Sequence, residues 1–332
     1  MSLAKNFVFV AEVGQGKWGS VRFHLPVGEV DEFSNQNSDP SPSSPGFDKL
    51  KKSLVAVKVA LKRKNDNIIE EEIEALQSVE RVTNDNPDVH FPKLRHKEKF
   101  QLERDPDEAS FLVLEAITPP VTLEYMLRTD ANAPIPLVYH LFLSLGSAVR
   151  FLRNEVGLAH QDIKQDNILV RQGPSDLPQF VLIDFGNARA IKDSDYNKDC
   201  RTMLQVVCLL AKEVWEQRWE GSGGFETVGK MADRGEQRQD QVDWTGFREM
   251  LDGETESSRT FTQVDEAFED IWNRWKGVAQ KARDGRTEDE MADIKRICGK
   301  AEERAAEKFR EVRDEDLIDA VKRHEEGKEV QG

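Results

Sequence analysis

Pro119-Pro120 divides this chain into two textures, and that division constrains its fold more than any other feature. Before the prolines, apolar and polar residues alternate in short runs. Residues 6–24 read as two strands around a glycine cluster, residues 53–61 as a third, and residues 111–115 (F-L-V-L-E) as a buried strand ending at the prolines. Between them, Ile68–Val79 carries Ile69, Ile73 and Leu76 at helical spacing. After the prolines the pattern turns helical, over 122–129 and from Pro136 to Asn154. Short strands near 168–171 and 179–183 follow, and then a buried helix from Asp199 to Trp219. Strands first and helices afterwards predict an α+β fold with the two kinds of element segregated.

The length of 332 residues suits about two domains and is ample for a buried core. Five of the six tryptophans fall between 215 and 275, spaced 215/219 and 272/275, so this region packs a core. Residues 286–328 are dominated by charge, with Met291, Ile294, Ile297, Phe309 and Val312 recurring as on a terminal helix docked along one stripe. Residues 34–46 hold five serines, three prolines and no apolar residue, which predicts a flexible insertion between strands. A net charge of −15 has the wrong sign for tracking nucleic-acid phosphates. The longest early apolar stretch, Phe7–Val10, is shorter than a signal-peptide core, and no run approaches eighteen apolar residues, so neither secretion nor a membrane partner is expected. Three cysteines without a Cys-x-x-Cys pair indicate neither a disulfide framework nor a zinc site, which fits an intracellular protein, cytoplasmic or nuclear.

The first chemical motif is Gly14-Gln15-Gly16-Lys17-Trp18-Gly19-Ser20-Val21, between two strands. A dinucleotide fingerprint needs a helix N-terminus immediately after it, whereas a hairpin glycine loop can lay its amides over triphosphate oxygens. A glycine hairpin of no special function is the plain alternative. Next comes Val55-Ala56-Val57-Lys58, close to the V-A-I-K pattern in which a lysine pairs nucleotide phosphates. On the acidic helix that follows, Glu72 is the favoured ion-pair partner for Lys58 because Ile73, Leu76 and Val79 make an apolar stripe beside it. Glu70, Glu71 and Glu74 compete for the role, and all four together could be a solvated acidic face. The last segment is His160-Gln161-Asp162-Ile163-Lys164-Gln165-Asp166-Asn167, followed later by Ile183-Asp184-Phe185-Gly186.

In order and spacing, these elements over about residues 6–220 resemble the eukaryotic-type protein kinase family: glycine loop, strand lysine, acidic helix, H-x-D-x-K-x-x-N loop and D-F-G. The resemblance implies a bilobal fold, with a β-rich N-lobe over 1–117 that includes the insertion 34–46, a helical C-lobe over 118–285, and a charged helical extension over 286–332. It implies ATP and Mg²⁺ as cofactors. Phosphoryl transfer needs cations on the phosphate oxygens and a carboxylate to orient the attacking hydroxyl. By motif, Asp162 is that carboxylate, Lys164 steadies the transferring phosphate, and Asn167 and Asp184 hold the metal with oxygen ligands suited to a hard cation. Gly14, Gly16 and Gly19 would cradle the phosphates. Trp18 would cap them from water, unless it is an exposed aromatic without a role. Val21 and Ala56 would lie above the adenine and Leu169 below it, with the backbone of Glu115 and Ile117 on its edge.

Two departures bear on regulation and substrate. Gln161 stands where regulated kinases usually carry an arginine that pairs with an activation-loop phosphate, so that control is expected to be missing. Only residues 187–198 separate Gly186 from Asp199, taken as the buried aspartate of the large C-lobe helix, and no proline is followed by glutamate, so A-P-E is absent. That segment forms much of the platform for a peptide substrate in the family. Three readings stand: a Ser/Thr protein kinase, favoured by Lys164 two residues after Asp162; a small-molecule kinase, suggested by the shortened platform; and a nucleotide-binding pseudokinase scaffold. The presence of Lys58, Asp162, Asn167 and Asp184 together argues against the scaffold.

Overall fold

The computed structural model describes residues 3–15, 19–60, 66–82, 91–95, 111–129, 133–173, 176–220, 239–256, 264–308 and 312–331. The chain forms two compact units, one of residues 1–80, 92–120 and 305–332, the other of residues 81–91 and 121–304. The strand-rich unit and the helical unit give the α+β, bilobal class expected from the sequence.

The strand-rich unit opens with a short helix, α1 (Leu3–Asn6), and is built on an antiparallel sheet in the order β1 (Phe7–Gln15), β2 (Gly19–Pro26), β3 (Val55–Ala60), β4 (Phe111–Glu115). Its register places Val21 opposite Lys58, and Phe23 and Leu114 opposite Ala56. Because side chains alternate along a strand, Val21, Phe23, Ala56, Lys58 and Leu114 share one face. The other face carries Val55, Val57, Phe111 and Val113, which with Phe7 form their own buried cluster. The helix α4 (Asp66–Val82) buries Ile69, Glu72, Leu76 and Val79, three or four residues apart, and exposes Glu70, Glu71 and Glu74.

Two expectations need correction here. Residues 34–46 are not a loose insertion. They complete α2 (Val27–Gln36) and turn into α3 (Phe47–Lys52). Asn37, itself buried, donates from Nδ2 to the carbonyls of Phe33 (2.8 Å) and Pro45 (3.1 Å), and the Ser41 N–H bonds Ser44 Oγ at 3.0 Å. Gly46 closes the turn at φ +83°, in the left-handed region where glycine carries no Cβ penalty. The burial comes from residues outside the polar window: Val30, Phe33, Phe47 and Leu50 enter one core cluster with Val10, Phe23, Leu25 and Ala56.

The second correction concerns residues 286–332, expected as one docked extension. They form two helices that belong to different units. α10 (Glu288–Lys308) lies almost wholly in the helical unit, while α11 (Asp314–Gln331) packs in the strand-rich unit. There Leu317, Ile318, Ala320 and Val321 complete the cluster shared with the sheet and the α2–α3 hairpin. Phe309 lies outside the described residues.

The helical unit contains α5 (Leu123–Leu127), α6 (Ile135–Phe151), α7 (Asp193–Glu220), α8 (Gln239–Glu256), α9 (Val264–Asp284) and α10. α6 is apolar nearly all round and packs against α7 and α9. The stretch Ile135–Val156 is long and apolar enough to cross a membrane, and most of it is buried inside the protein, as in a core helix. Gly146 lets the Trp272 ring lie against α6: a Cβ there would sit 2.2 Å from Cζ3 of that ring. Trp244, Trp272 and Trp275 are buried, as the aromatic spacing predicts, while the side chains of Trp215 and Trp219 lie outside the described residues. After α6 the chain makes one π turn (152–156), runs through β5 (Leu158–Ala159), and forms the hairpin β6 (Ile168–Gln172) and β7 (Pro178–Leu182). A two-residue strand, β8 (Arg189–Ala190), pairs with β5.

Candidate active site

In the strand-rich unit, β3 and α4 bring Lys58 and Glu72 together. The ammonium lies 2.6 Å from Glu72 Oε2, with the glutamate side chain 2% and the lysine 13% exposed. Of the four candidate carboxylates, Glu72 alone points inward, because it falls on the stripe of Ile69, Leu76 and Val79. A pair this deeply placed fixes the lysine on the sheet face it shares with Val21 and Ala56. Val21 and Ala56 lie on the lysine's face, one half-buried and the other buried. Val13, half-buried in the same cluster, was not singled out from the sequence; the β1 alternation beside Gly14 was the available signal. The Glu115 N–H donates to the Lys93 carbonyl at 2.9 Å, which limits that residue's backbone contribution to its carbonyl, and Ile117 is buried just after it. Gly14 and Gly19 fall on β1 and β2, and Gly16 and Trp18 lie outside the described residues.

In the helical unit, the loop between β5 and β6 is fixed from below by a buried network. His160 Nε2 lies 3.0 Å from the Ile183 carbonyl, so it carries the proton, and Nδ1 accepts the Asp162 N–H at 3.3 Å. Burial pulls the imidazole down to about 4, so it is neutral at physiological pH. Its ring also stands edge-on to buried Phe185, 4.8 Å between centroids. Asp199 accepts the N–H groups of His160 (2.6 Å) and Gln161 (2.8 Å). Burial pushes this carboxyl up to about 6, against the opposing pull of those two donors. The N–H bonds hold Gln161 at φ +68°, a conformation rare outside glycine, and it turns the chain so that Asp162 leaves the core half-buried.

At the surface of this network, Asp162 Oδ2 receives Lys164 Nζ at 2.7 Å and Asn167 Nδ2 at 2.9 Å, while Asn167 Nδ2 also reaches the Asp162 carbonyl at 2.8 Å. Both side-chain donors take the same oxygen, Oδ2. Because Nδ2 is committed to Asp162, Oδ1 is the ligand atom that Asn167 offers. The Ile183 N–H bonds the Asn167 carbonyl at 2.9 Å, extending the β6–β7 ladder by one step. Asn167 and Asp184 therefore emerge at the same end of one hairpin, an amide oxygen and a carboxylate that suit a hard divalent cation. Asp184 is half-buried at φ +67°, and Leu169, on β6, is half-buried.

The segment after Asp184 contains a set of residues that sequence reading did not assemble. Arg189 Nη2 bonds Gln161 Oε1 at 3.0 Å and Asp195 Oδ1 at 2.6 Å, Gln161 Nε2 bonds the Asp195 carbonyl at 2.8 Å, and Lys198 reaches the Gln161 carbonyl at 2.8 Å. With β8 paired to β5 and the Ile191 N–H on the Gly157 carbonyl, the chain enters α7 at Asp193 without a free loop.

Residues 44–206 match the family described as the protein kinase domain, a span that begins beyond the glycine loop and ends within α7. A probable ganciclovir kinase of Saimiriine herpesvirus 2 (strain 11) is 51% identical over 81 residues, 20% of this chain and 19% of that protein. The serine/threonine-protein kinase dkf-1 of Caenorhabditis elegans and that of Caenorhabditis briggsae are each 32% identical over 78 residues, 24% of this chain and 10% of theirs. The matched stretches thus span about a fifth of the viral relative's length and a tenth of the nematode ones.

Proposed function

Because the chain belongs to the protein kinase superfamily, we propose that it transfers the γ-phosphate of ATP to a hydroxyl, with a serine or threonine of a protein as the first candidate acceptor. One observation carries this reading: Asp162 is held by Lys164 and Asn167 on one oxygen and keeps the other for a substrate hydroxyl. A carboxylate so placed orients the nucleophile and takes its proton as the bond to phosphorus forms. Lys58, fixed by Glu72, supplies positive charge for the phosphates. Asn167 Oδ1 and the Asp184 carboxylate would hold Mg²⁺, which when bound neutralises phosphate charge. Lys164, beside Asp162, places a second positive charge where negative charge develops.

The same geometry supports activity without an activating phosphate. Gln161 already ties Arg189 and the start of α7 into one network, so nothing in this segment waits for an added charge to order it. A small-molecule acceptor is the second reading. The direct run from β8 into α7 leaves little chain for a peptide platform, and one relative is named a probable ganciclovir kinase. Labelled ATP offered in parallel to a protein array and to a pool of nucleosides and other small hydroxyl compounds separates the two. In either arm Asp162→Asn should lower the rate by about 10²–10⁴-fold while ATP binding survives. Equal rates for this variant and the parent would remove the proposed role of Asp162.

A further inference from the structure

We propose that α11 is a positioning element for nucleotide binding, which holds β1 and the sheet face of Val21 and Ala56 in place. The inference rests on the phosphotransfer reading above, in which Lys58, on that same face, meets the phosphates of ATP. α11 lies against β1 and α2. Leu317, Ile318, Ala320 and Val321, none more than 5% exposed, enter the same continuous cluster as Val10, Phe23, Leu25 and Ala56, and Val13, Val21 and Leu114 pack against it. In a close-packed interior such a cluster passes a displacement on rather than absorbing it.

β1 is the strand with most need of outside support. Its pairing with β2 slips between Phe9 and Ala11 and again between Glu12 and Gly14. Each irregularity interrupts the ladder and frees the strand to bend, and the second adjoins Gly14, where the glycine loop starts. α11 braces this strand with polar anchors as well as apolar ones. Arg323 Nη2 reaches the Phe9 carbonyl at 3.3 Å, at the first slip. Lys51 Nζ lies 2.6 Å from Asp314 Oδ1 at the helix start. Near its end, His324 Nε2 (2.9 Å) and Lys328 Nζ (2.6 Å) both meet Asp31 Oδ1 of α2. The helix is thus pinned along its length to both the strand and the α2–α3 hairpin.

In the full chain, Leu317→Ala/Val321→Ala should raise the Kd and KM for Mg-ATP at least fivefold and leave kcat within twofold of the parent, the pattern of lost binding without lost chemistry. Leu317→Met with Val321 kept, which conserves the volume, should hold the parental KM. Phe7→Leu, in the cluster on the opposite sheet face, is the control for general loss of stability and should leave the ATP KM within twofold. If the double alanine chain does not fold, Asp31→Asn loosens the polar anchor without a cavity and should raise KM in the same direction. Unchanged ATP affinity in the α11 variants, or an equal rise in Phe7→Leu, would overturn the inference alone. A parent protein that binds no Mg-ATP would overturn the phosphotransfer reading and this inference with it.

Discussion

Asp199→Asn separates positioning from stability within the catalytic-loop network. The aspartate accepts two backbone N–H groups, from His160 and Gln161, through its two oxygens. Asparagine retains one acceptor oxygen and presents an amide to the other N–H, leaving a buried donor unsatisfied at a cost of about 1–3 kcal/mol. Against this, the carboxyl is pushed up by burial to about 6 from an ordinary 3.8. A rise of that size makes keeping the carboxylate ionised cost about 3 kcal/mol at neutral pH, and asparagine removes that cost. The two contributions nearly offset, so thermal stability at pH 7 should stay within about 2 kcal/mol of the parent. Activity has no such offset. Gln161 is held at φ +68° by these bonds and aims Asp162 outward, so its relaxation misplaces the base, at about 10²-fold in kcat for an ångström of error. The pH dependence carries a sign of its own. The folded parent binds the proton more tightly than the unfolded chain, so the buried charge costs most above pH 6 and nothing below about 3.8. The parent should therefore gain stability relative to the variant as pH falls through that window. Single-turnover rates with urea melts at pH 7 and pH 4.5 read both effects. A variant with kcat within threefold of the parent would refute the claim that Asp199 positions the loop.

Other expectations test other parts of the molecule. Gly146→Ala gains about 1 kcal/mol of helix propensity but puts a Cβ 2.2 Å from Trp272, where overpacking costs about 1–3 kcal/mol; a lower Tm that Trp272→Leu partly restores is expected, and an unchanged Tm would mean the ring moves freely. His24 stands edge-on between Phe7 and Phe9, and burial, with Arg22 nearby, lowers it to about 4. Its contribution is complete above pH 6.5 and is lost as pH falls toward 4, about 3 kcal/mol in all, so His24→Leu should flatten the acid limb of a stability profile; an identical limb in the variant would exclude His24 as its source. Ser194 is exposed on the first turn of α7, whereas Tyr196 is 1% exposed and donates to Glu269. Phosphatase treatment or Ser194→Ala should therefore leave turnover within twofold, and a tenfold fall in both would show that a phosphate orders the segment.

The chemistry was legible because phosphoryl transfer dictates residue types at short spacings: Asp162, Lys164 and Asn167 meet within five residues, and their hydrogen bonds are local. Glu72 could be chosen among four glutamates because its apolar neighbours recur with the helical period. What stayed hidden depends on distance along the chain. Gln161, Arg189 and Asp195 pair across 28 and 6 residues, which leaves no periodic trace. The 34–46 window read as flexible because its burying residues, Phe33 and Phe47, stand just outside it. α11 offered Leu317, Ile318 and Val321 in a charged context, and nothing local distinguishes a helix that returns to the first sheet from one that continues the last helices.

That return sets an order for synthesis. β1 to β4 have all left the ribosome by Glu115, but the helix that finishes their core begins at Asp314, about 200 residues later. At about 5–20 residues per second, the sheet waits roughly ten to forty seconds with the cluster of Val10, Phe23 and Leu25 covered by the α2–α3 hairpin alone, while α5 to α10 have the time to assemble first. The unit that is translated first is thus the last to close, and for that interval its apolar face is a natural client for chaperones.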